Sequence, residues 1–156
     1  MIEMTIPGRG NIKIYNLVMD VNGTIALDGN LLPGVIDKLN RLKDRLDIWL
    51  VTANTHASQK KIDMQLGIHS HIIQKENEIE QKKEFIRNLN PESSIAIGQG
   101  ANDIGMLEMA KIGICVISPE GTYGKTMLAA DIITPDILTA LELIEYPLRM
   151  VATLRQ

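Results

Sequence analysis

The chain has 156 residues, of which 45% are hydrophobic and only 3% aromatic, and its formal net charge is −3. This length fits one domain over residues 1–156, and it buries enough surface to fold without disulfides or a structural metal. A nucleic acid is not an expected partner, because the chain has no basic block and few aromatic rings to stack on bases. Cys115 is the single cysteine, which excludes a disulfide within the chain.

No segment reaches the roughly eighteen apolar residues that a membrane-spanning helix needs. The N-terminus also lacks a basic region followed by an apolar one, the pattern of a secretory signal. We therefore expect a cytoplasmic protein that does not use a membrane as a partner.

The N-terminal third begins with alternating apolar and polar residues on both sides of Pro7-Gly8-Arg9-Gly10. This pattern predicts a β-hairpin over residues 2–15. The next apolar run predicts a buried strand over Leu17–Asp20. Residues 25–32 contain the tight-turn signal Asp28-Gly29-Asn30, which predicts a small flap beside the end of that strand.

From Pro33 onward, helical spacing alternates with short apolar runs. Strands are predicted over Asp47–Thr52, His71–Gln74, Ser94–Gly98, Ile112–Ile117 and Ile132–Ile133. Helices are predicted from Pro33, from a Thr55 cap to Leu66, over Glu76–Leu89, Ala101–Ala110 and 122–130, and from a Thr134 cap with Pro135 at the first helical position until Pro147. This alternation predicts an α/β fold with three α/β/α layers, a mostly parallel central sheet, an N-terminal β-hairpin and no cap domain.

Three predicted strands end on polar residues. Asp20 follows one apolar run, Thr52 ends another, and Gly98-Gln99-Gly100-Ala101-Asn102-Asp103 follows a third. Taken singly, each has an ordinary explanation as a turn or helix-capping residue. Because ligands bind at the carboxyl ends of strands in open parallel sheets, the three together predict one polar site.

Lys82 falls near the middle of the apolar stripe of the helix predicted over Glu76–Leu89, whereas Lys83 lies about a quarter-turn away. A lysine on a buried face must pair with an anion or extend to the sheet edge. With Lys82, the strand ends describe a phosphoryl-transfer site. A carboxylate can attack phosphorus, a hydroxyl and an ammonium can hold phosphoryl oxygens, and a second carboxylate can hold Mg²⁺.

In this order, the motifs resemble those of the haloacid dehalogenase (HAD) superfamily of phosphohydrolases over about residues 12–135. They are Asp20-Val21-Asn22-Gly23-Thr24, Thr52, Lys82 and Gly98-Gln99-Gly100-Ala101-Asn102-Asp103. The capless layout and the last motif are similar to the phosphorylation domain of P-type ATPases, and in particular to soluble P-type ATPase-like phosphatases.

The resemblance implies that Asp20 is a nucleophile that becomes a phosphoaspartate. Its implied catalytic residues are Asp20, Asn22, Thr52 and Lys82. Its implied phosphate contacts are Asp20, Gly23, Thr52, Ala53, Lys82 and Asn102. Mg²⁺ is the implied cofactor, at Asp20, the Asn22 carbonyl, Gln99 and Asp103. His56, just past the Thr52 strand, could also line the pocket.

Two residues depart from the family pattern. Asn22 stands where most phosphatases of the family have an aspartate that acts as general acid and base, and the loss of such a group costs about 10²–10⁴ in rate. Gln99 stands where the family has a metal-binding aspartate, and a neutral amide is a weaker Mg²⁺ ligand than a carboxylate. We therefore expect a slow Mg²⁺-dependent phosphatase that acts on a phosphorylated small molecule or a phosphoprotein.

Three questions stay open at this stage. The two departures also fit a catalytically degenerate binding or regulatory protein with the same fold. A phospho-accepting receiver domain uses similar residues, but its acceptor aspartate ends the third strand, so the spatial strand order separates the two. The N-terminal hairpin and the helix broken at Pro147 carry apolar residues that could bury against a second subunit and form a homo-oligomer.

Overall fold

A six-stranded sheet dominates the computed structural model, which describes residues 1–53 and 57–156. Its strands lie in the order β10-β9-β8-β3-β6-β7, and each neighbouring pair is parallel. The strands are β3 (Asn16–Met19), β6 (Asp47–Thr52), β7 (His71–Ile72), β8 (Ser94–Gly98), β9 (Ile112–Val116) and β10 (Ile132–Thr134). The predicted Thr55 cap and His56 lie outside the described residues.

Two antiparallel hairpins accompany the sheet, and both were predicted. The N-terminal one pairs β1 (Ile2–Ile6) with β2 (Gly10–Ile14), and the flap pairs β4 (Ala26–Leu27) with β5 (Asn30–Leu31). In the flap turn, Asp28 and Gly29 have φ values of 50° and 76°. Two successive positive φ angles are what a type I′ hairpin turn requires, which explains the Asp-Gly pair.

The helices follow the predicted segments with shifted ends. They are α1 (Val35–Leu42), α2 (Ala57–Leu66), α3 (Glu78–Leu89), α4 (Ile104–Met109), α5 (Gly124–Ala129), α6 (Ile137–Glu145) and α7 (Pro147–Leu154), and a 3₁₀ turn over Ala101–Asp103 precedes α4. The predicted Thr134 cap is wrong. Asp136 caps α6 instead, because its carboxylate accepts a hydrogen bond of 2.7 Å from Thr139 N. Among the described helices, none is long and apolar enough to cross a membrane.

The sheet separates two hydrophobic cores, which confirms the three-layer α/β class. Along β3, Leu17 and Met19 enter one core, and Val18 enters the other. The first core also contains apolar residues of the N-terminal hairpin, α1, α2, α6 and α7, whereas the second contains those of α3 and α4. Because central strands of such a sheet are buried on both faces, they are apolar throughout rather than alternating.

The N-terminal hairpin and α7 pack within this chain. The inward side chains of the hairpin share the first core with Met150 and Leu154 of α7, and Gln156 N donates a hydrogen bond of 3.1 Å to Pro7 O. Each buries apolar residues of the other, so these residues are not left for contact with a second subunit. A homo-oligomer stays a prediction, but the apolar residues of the hairpin and of α7 no longer support it.

The strand order contradicts the receiver interpretation. Numbered along the chain, the parallel strands lie in the order 6-5-4-1-2-3, and Asp20 follows the first of them, β3. A flavodoxin-like receiver has the order 2-1-3-4-5. The order observed here reverses between β3 and β8, so a crevice opens there at the carboxyl edge, where open α/β sheets bind ligands.

Gly105 lets α4 approach α3, the helix that carries Lys82. A Cβ atom at Gly105 would lie 2.6 Å from Ile79 O and 3.0 Å from Lys83 Cβ. We expect Gly105→Ala to lower the free energy of unfolding by about 1–3 kcal/mol, because the helices must move apart. Gly124→Ala in α5 is the control, since no atom lies within 4 Å of that position. Urea unfolding measures both, and equal effects would contradict close packing at Gly105.

Candidate active site

Asp20 is fixed at the carboxyl end of β3, the point where the strand order reverses. Its backbone N donates to Ile97 O of β8 at 3.0 Å, and its side chain accepts a hydrogen bond of 3.3 Å from Thr24 Oγ1. The chain then turns tightly, because Val21 O accepts from the backbone N–H groups of residues 24–26. Asp20 is only 6% exposed, so its carboxylate lies at the base of the crevice.

Lys82 reaches this carboxylate from the buried face of α3. Its ammonium lies 2.7 Å from Asp20 Oδ1 and 2.6 Å from Asp103 Oδ1, and the residue is 1% exposed. The sequence predicted that a lysine on this buried face must pair with an anion, and in the structure two carboxylates fill that role. One ammonium joins α3 to the ends of two sheet strands.

Asp103 is fully buried in the 3₁₀ turn that follows β8. Its Oδ2 accepts hydrogen bonds of 2.9 Å from the backbone N–H groups of Gln99 and Gly100. A Cβ atom at Gly98 would lie 2.5 Å from Asp103 Cγ, so the glycine makes room for this close approach. The Gly-rich motif thus folds around the Asp103 carboxylate.

The cluster has two carboxylates and one ammonium. Burial first, and then the charge of Asp103, raise the pKa of Asp20 to about 7, although Lys82 acts in the opposite direction. Burial also opposes the charged form of Lys82, but the two carboxylates outweigh it and raise its pKa above the usual value. Above neutral pH the cluster therefore carries one uncompensated negative charge, which favours binding of a cation.

A cleft of about 410 Å³ opens above the cluster. Six of the residues predicted for the site contribute to its wall, namely Asp20, Asn22, Thr52, Ala53, Gln99 and Asn102. Thr52 is 2% exposed at the end of β6. Gly23 lies beside Gln99, since a Cβ atom there would be 2.2 Å from Gln99 Nε2. The structure thus brings these six residues together around one cavity, whereas the predicted site residues Gly23, Lys82 and Asp103 are not part of its wall.

Two amide side chains make contacts that the sequence did not predict. Asn102 Nδ2 donates to Glu78 Oε2 at 2.5 Å, so its amide is engaged with α3. Gln99 Nε2 donates to Asn22 O at 3.5 Å, the backbone carbonyl implied as a metal ligand. The Gln99 oxygen has no hydrogen-bond partner among residues 1–53 and 57–156.

Three further residues line the cleft that no sequence pattern singled out, namely Lys75, Glu78 and Glu120. Lys75 and Glu78 belong to a run of alternating charges that is typical of a solvated helix surface. Glu120 follows β9, another parallel strand, and the rule that polar groups after strand ends share one edge would have found it.

The oxygen donors of the cleft suit a hard divalent cation. In the described ranges, no group of three or more His, Cys, Asp or Glu residues is placed to hold a metal. The Asp20 carboxylate, the Asn22 carbonyl and the Gln99 amide are nevertheless the oxygen ligands that Mg²⁺ accepts, and Mg²⁺ usually keeps several waters. The residues therefore fit a partly hydrated Mg²⁺ rather than a closed protein cage.

The raised pKa of Asp20 predicts a pH-dependent effect of Asp20→Asn on metal-free stability. The native state keeps a proton on Asp20 that the unfolded chain, with a pKa of 3.8, releases earlier. That stabilisation is lost as the pH rises from about 4 to about 7. Asp20→Asn has no titrating group at this position. Its free energy of unfolding, relative to that of the unsubstituted chain, should therefore increase over this pH range by on the order of 2–4 kcal/mol, at about 1.4 kcal/mol per pKa unit. Urea unfolding with a chelator measures it, and a difference that stays constant with pH would contradict it.

Comparison with known proteins agrees with this architecture. A family model of haloacid dehalogenase-like hydrolases matches residues 4–111. A soluble P-type ATPase-like phosphatase of Methanocaldococcus jannaschii is 26% identical over 116 residues, which are 72% of this chain and 42% of that protein. This chain therefore matches about two fifths of that relative's length.

Solved structures share the fold. A HAD superfamily (subfamily III A) hydrolase from Legionella pneumophila has a TM-score of 0.72 at 16% identity, with 90% of this chain and 87% of that chain covered. A 3-deoxy-D-manno-octulosonate 8-phosphate phosphatase from Moraxella catarrhalis, solved with magnesium, phosphate and KDO, has a TM-score of 0.63 at 24% identity, with 84% and 85% covered. With more than half of its residues matched by the family model, this chain belongs to the haloacid dehalogenase-like hydrolases.

Proposed function

We propose that this protein is a Mg²⁺-dependent phosphohydrolase that transfers a phosphoryl group to Asp20 and then to water. The observation that carries the proposal is the buried Lys82 ammonium between Asp20 and Asp103, directly below the cleft. A buried charge is costly unless it is paired. This arrangement keeps a nucleophilic carboxylate and an ammonium together at the ligand-binding edge of the sheet, and Asp103 holds the ammonium in place.

In the first step, Asp20 attacks phosphorus, and the bond between phosphorus and the leaving-group oxygen breaks. Lys82 and Thr52 would hold phosphoryl oxygens as negative charge develops on them. Gly23, Ala53 and Asn102 are the further phosphate contacts that we propose. Asn102 would have to release Glu78, to which its amide is hydrogen-bonded at 2.5 Å.

The proposed cation site consists of Asp20, the Asn22 carbonyl, Gln99 and Asp103. Asp103 would first have to free an oxygen that now accepts from Lys82 or from the Gln99 and Gly100 N–H groups. When bound there, Mg²⁺ would neutralise charge on Asp20 and on the transferring phosphoryl group. The uncompensated charge of the buried cluster supports this, as does the magnesium and phosphate in the Moraxella catarrhalis phosphatase. Gln99 has to turn its amide oxygen toward the cation.

The second step is hydrolysis of the phosphoaspartate, and Asn22 makes it slow. An attacking water needs a base, and the amide of Asn22 cannot accept a proton at neutral pH. We propose that the phosphoaspartate is long-lived. A cleft of about 410 Å³ accommodates a phosphorylated small molecule, and its open edge admits the side chain of a phosphoprotein. The cytoplasmic location and homo-oligomerisation stay predictions.

The nucleophile is tested by Asp20→Asn with an aryl phosphate as substrate. We expect kcat/KM to fall by at least about 10³-fold, because loss of a nucleophile removes the covalent route. Acid quenching and mass spectrometry should find a phosphoryl group on Asp20 in the native chain. Asp28→Asn in the exposed flap turn is the matched control and should leave both results unchanged. Equal hydrolysis by the native chain and Asp20→Asn would refute the mechanism.

The role of Asn22 is tested by Asn22→Asp. A carboxylate here supplies the missing base, so the phosphoaspartate should decay about 10²-fold faster. Its rate of formation should change less, because Asp20, Thr52 and Lys82 are retained. Rapid-quench kinetics separate the two steps. An unchanged decay rate would show that position 22 does not limit hydrolysis.

A catalytically degenerate binding or regulatory protein is the second candidate. It is favoured by Asn22 and Gln99 and by the hydrogen bond from Gln99 Nε2 to Asn22 O, which occupies a proposed cation ligand. If the native chain binds phosphate or Mg²⁺ but hydrolyses no faster than Asp20→Asn, this candidate replaces the enzyme.

A further inference from the structure

Glu120 belongs to a loop that is fixed beside the cleft. Glu120 N donates to Ser118 Oγ at 3.1 Å, and Ser118 N donates to Thr122 Oγ1 at 3.0 Å. Tyr123 N then donates to Gln99 O at 3.0 Å. The loop after β9 is therefore tied to the Gly-rich motif, and the position of Glu120 relative to Gln99 is set by the backbone.

The side chains of Glu120 and Gln99 converge on Gly23. A Cβ atom at Gly23 would lie 2.1 Å from Glu120 Oε2 and 2.2 Å from Gln99 Nε2. The two groups therefore fill the space that any side chain at position 23 would need. Gly23 also has a φ of 78°, which L residues rarely adopt. Close approach and backbone conformation both require glycine here.

The Glu120 carboxylate and the Gln99 amide oxygen both lack a hydrogen-bond partner beside Gly23. In the part of the chain that the structure describes, the Glu120 carboxylate has no hydrogen bond or ion pair. Gln99 is 9% exposed, and its amide oxygen likewise has no hydrogen bond there. The Gln99 amide oxygen is open to solvent, because it is not among the buried side-chain atoms that lack a partner, and Glu120 is exposed. With the Asn22 carbonyl, these two groups offer the hard oxygen ligands that a hydrated divalent cation accepts.

We propose that Glu120 supplies the negative charge that Gln99 lacks, and that it binds the hydrated Mg²⁺ of the active site through a water ligand. This inference rests on the proposed function. Contact through water agrees with the absence, among the described residues, of three acidic groups close enough to share a metal directly. Gln99, which follows β8, carries no charge, and Glu120, in the loop after β9, would supply a negative charge to the same cation.

Mg²⁺ titration calorimetry on the substrate-free chain tests this inference. We expect Glu120→Gln to weaken Mg²⁺ binding about tenfold, the effect typical of groups that hold a metal through its ligands. Glu108→Gln is the matched control, because Glu108 is exposed on α4 and outside the cleft. Equal dissociation constants for the two variants would overturn the inference.

A double-mutant cycle tests the replacement of one charge by another. Gln99→Asp restores the missing carboxylate, so Glu120→Gln should then weaken Mg²⁺ binding by less than about threefold. Strong coupling of this kind is expected only for groups that act on the same ligand. If Glu120→Gln weakens binding equally with Gln or Asp at position 99, Glu120 does not replace the lost charge.

Asp20→Asn separates failure of this inference from failure of the proposed function. If Asp20→Asn weakens Mg²⁺ binding and Glu120→Gln does not, only the role of Glu120 is wrong. If the native chain binds no Mg²⁺, or Asp20→Asn leaves binding unchanged, the proposed cation site is wrong as well. Circular dichroism checks folding. Glu120→Asp, which keeps the charge on a shorter side chain, should bind Mg²⁺ with intermediate affinity and would replace Glu120→Gln if that variant misfolds.

Discussion

The site depends on one buried interaction, the Lys82 ammonium held between the carboxylates of Asp20 and Asp103. Removing Lys82 is costly, because it leaves two buried carboxylates without compensation. The three residues come from α3 and from the ends of β3 and β8, so the interaction holds together the elements around the crevice. It also leaves one negative charge in excess, which is why a cation site is proposed at this cleft.

The rest of the fold keeps that interaction in place. Gly98 allows Asp103 to approach β8, and Gly105 allows α4 to pack against α3. Thr126 Oγ1 donates to Gly100 O at 2.8 Å, which ties α5 to the Gly-rich motif. Small residues and backbone hydrogen bonds thus define where the charged atoms lie. The opposite core, with the N-terminal hairpin and α7, stabilises the sheet from its other face.

Local patterns in the sequence predicted much of this arrangement. Helical periodicity identified Lys82 as buried, and the polar residues after apolar runs identified Asp20, Thr52 and the Gly-rich motif. These predictions succeed because burial and strand ends have short-range signals. The shared sheet edge followed from parallel topology alone.

Interactions between distant segments were harder to predict. Asn102 bonds Glu78 across 24 positions of the chain, and no local pattern specifies that choice over phosphate or Asp20. The hairpin and α7 bury each other from opposite ends of the chain, so each has an apolar face without a partner nearby in sequence. Glu120 was missed because its loop contains no apolar periodicity and because three residues separate it from Val116, the last residue of β9.

Asn22 and Gln99 stand where the family pattern has a proton-transferring carboxylate and a metal-binding carboxylate. The buried cluster of Asp20, Lys82 and Asp103 is nevertheless intact. The central claim is that this cluster serves phosphoryl transfer to Asp20. The most direct measurement is a crystal structure with Mg²⁺ and beryllium trifluoride, which mimics a phosphoryl group bonded to a carboxylate. The account predicts beryllium bonded to an Asp20 oxygen, with Lys82 and Thr52 on its fluorines and Mg²⁺ beside Asp20. Beryllium trifluoride bound elsewhere, with Lys82 still bridging Asp20 and Asp103, would contradict it.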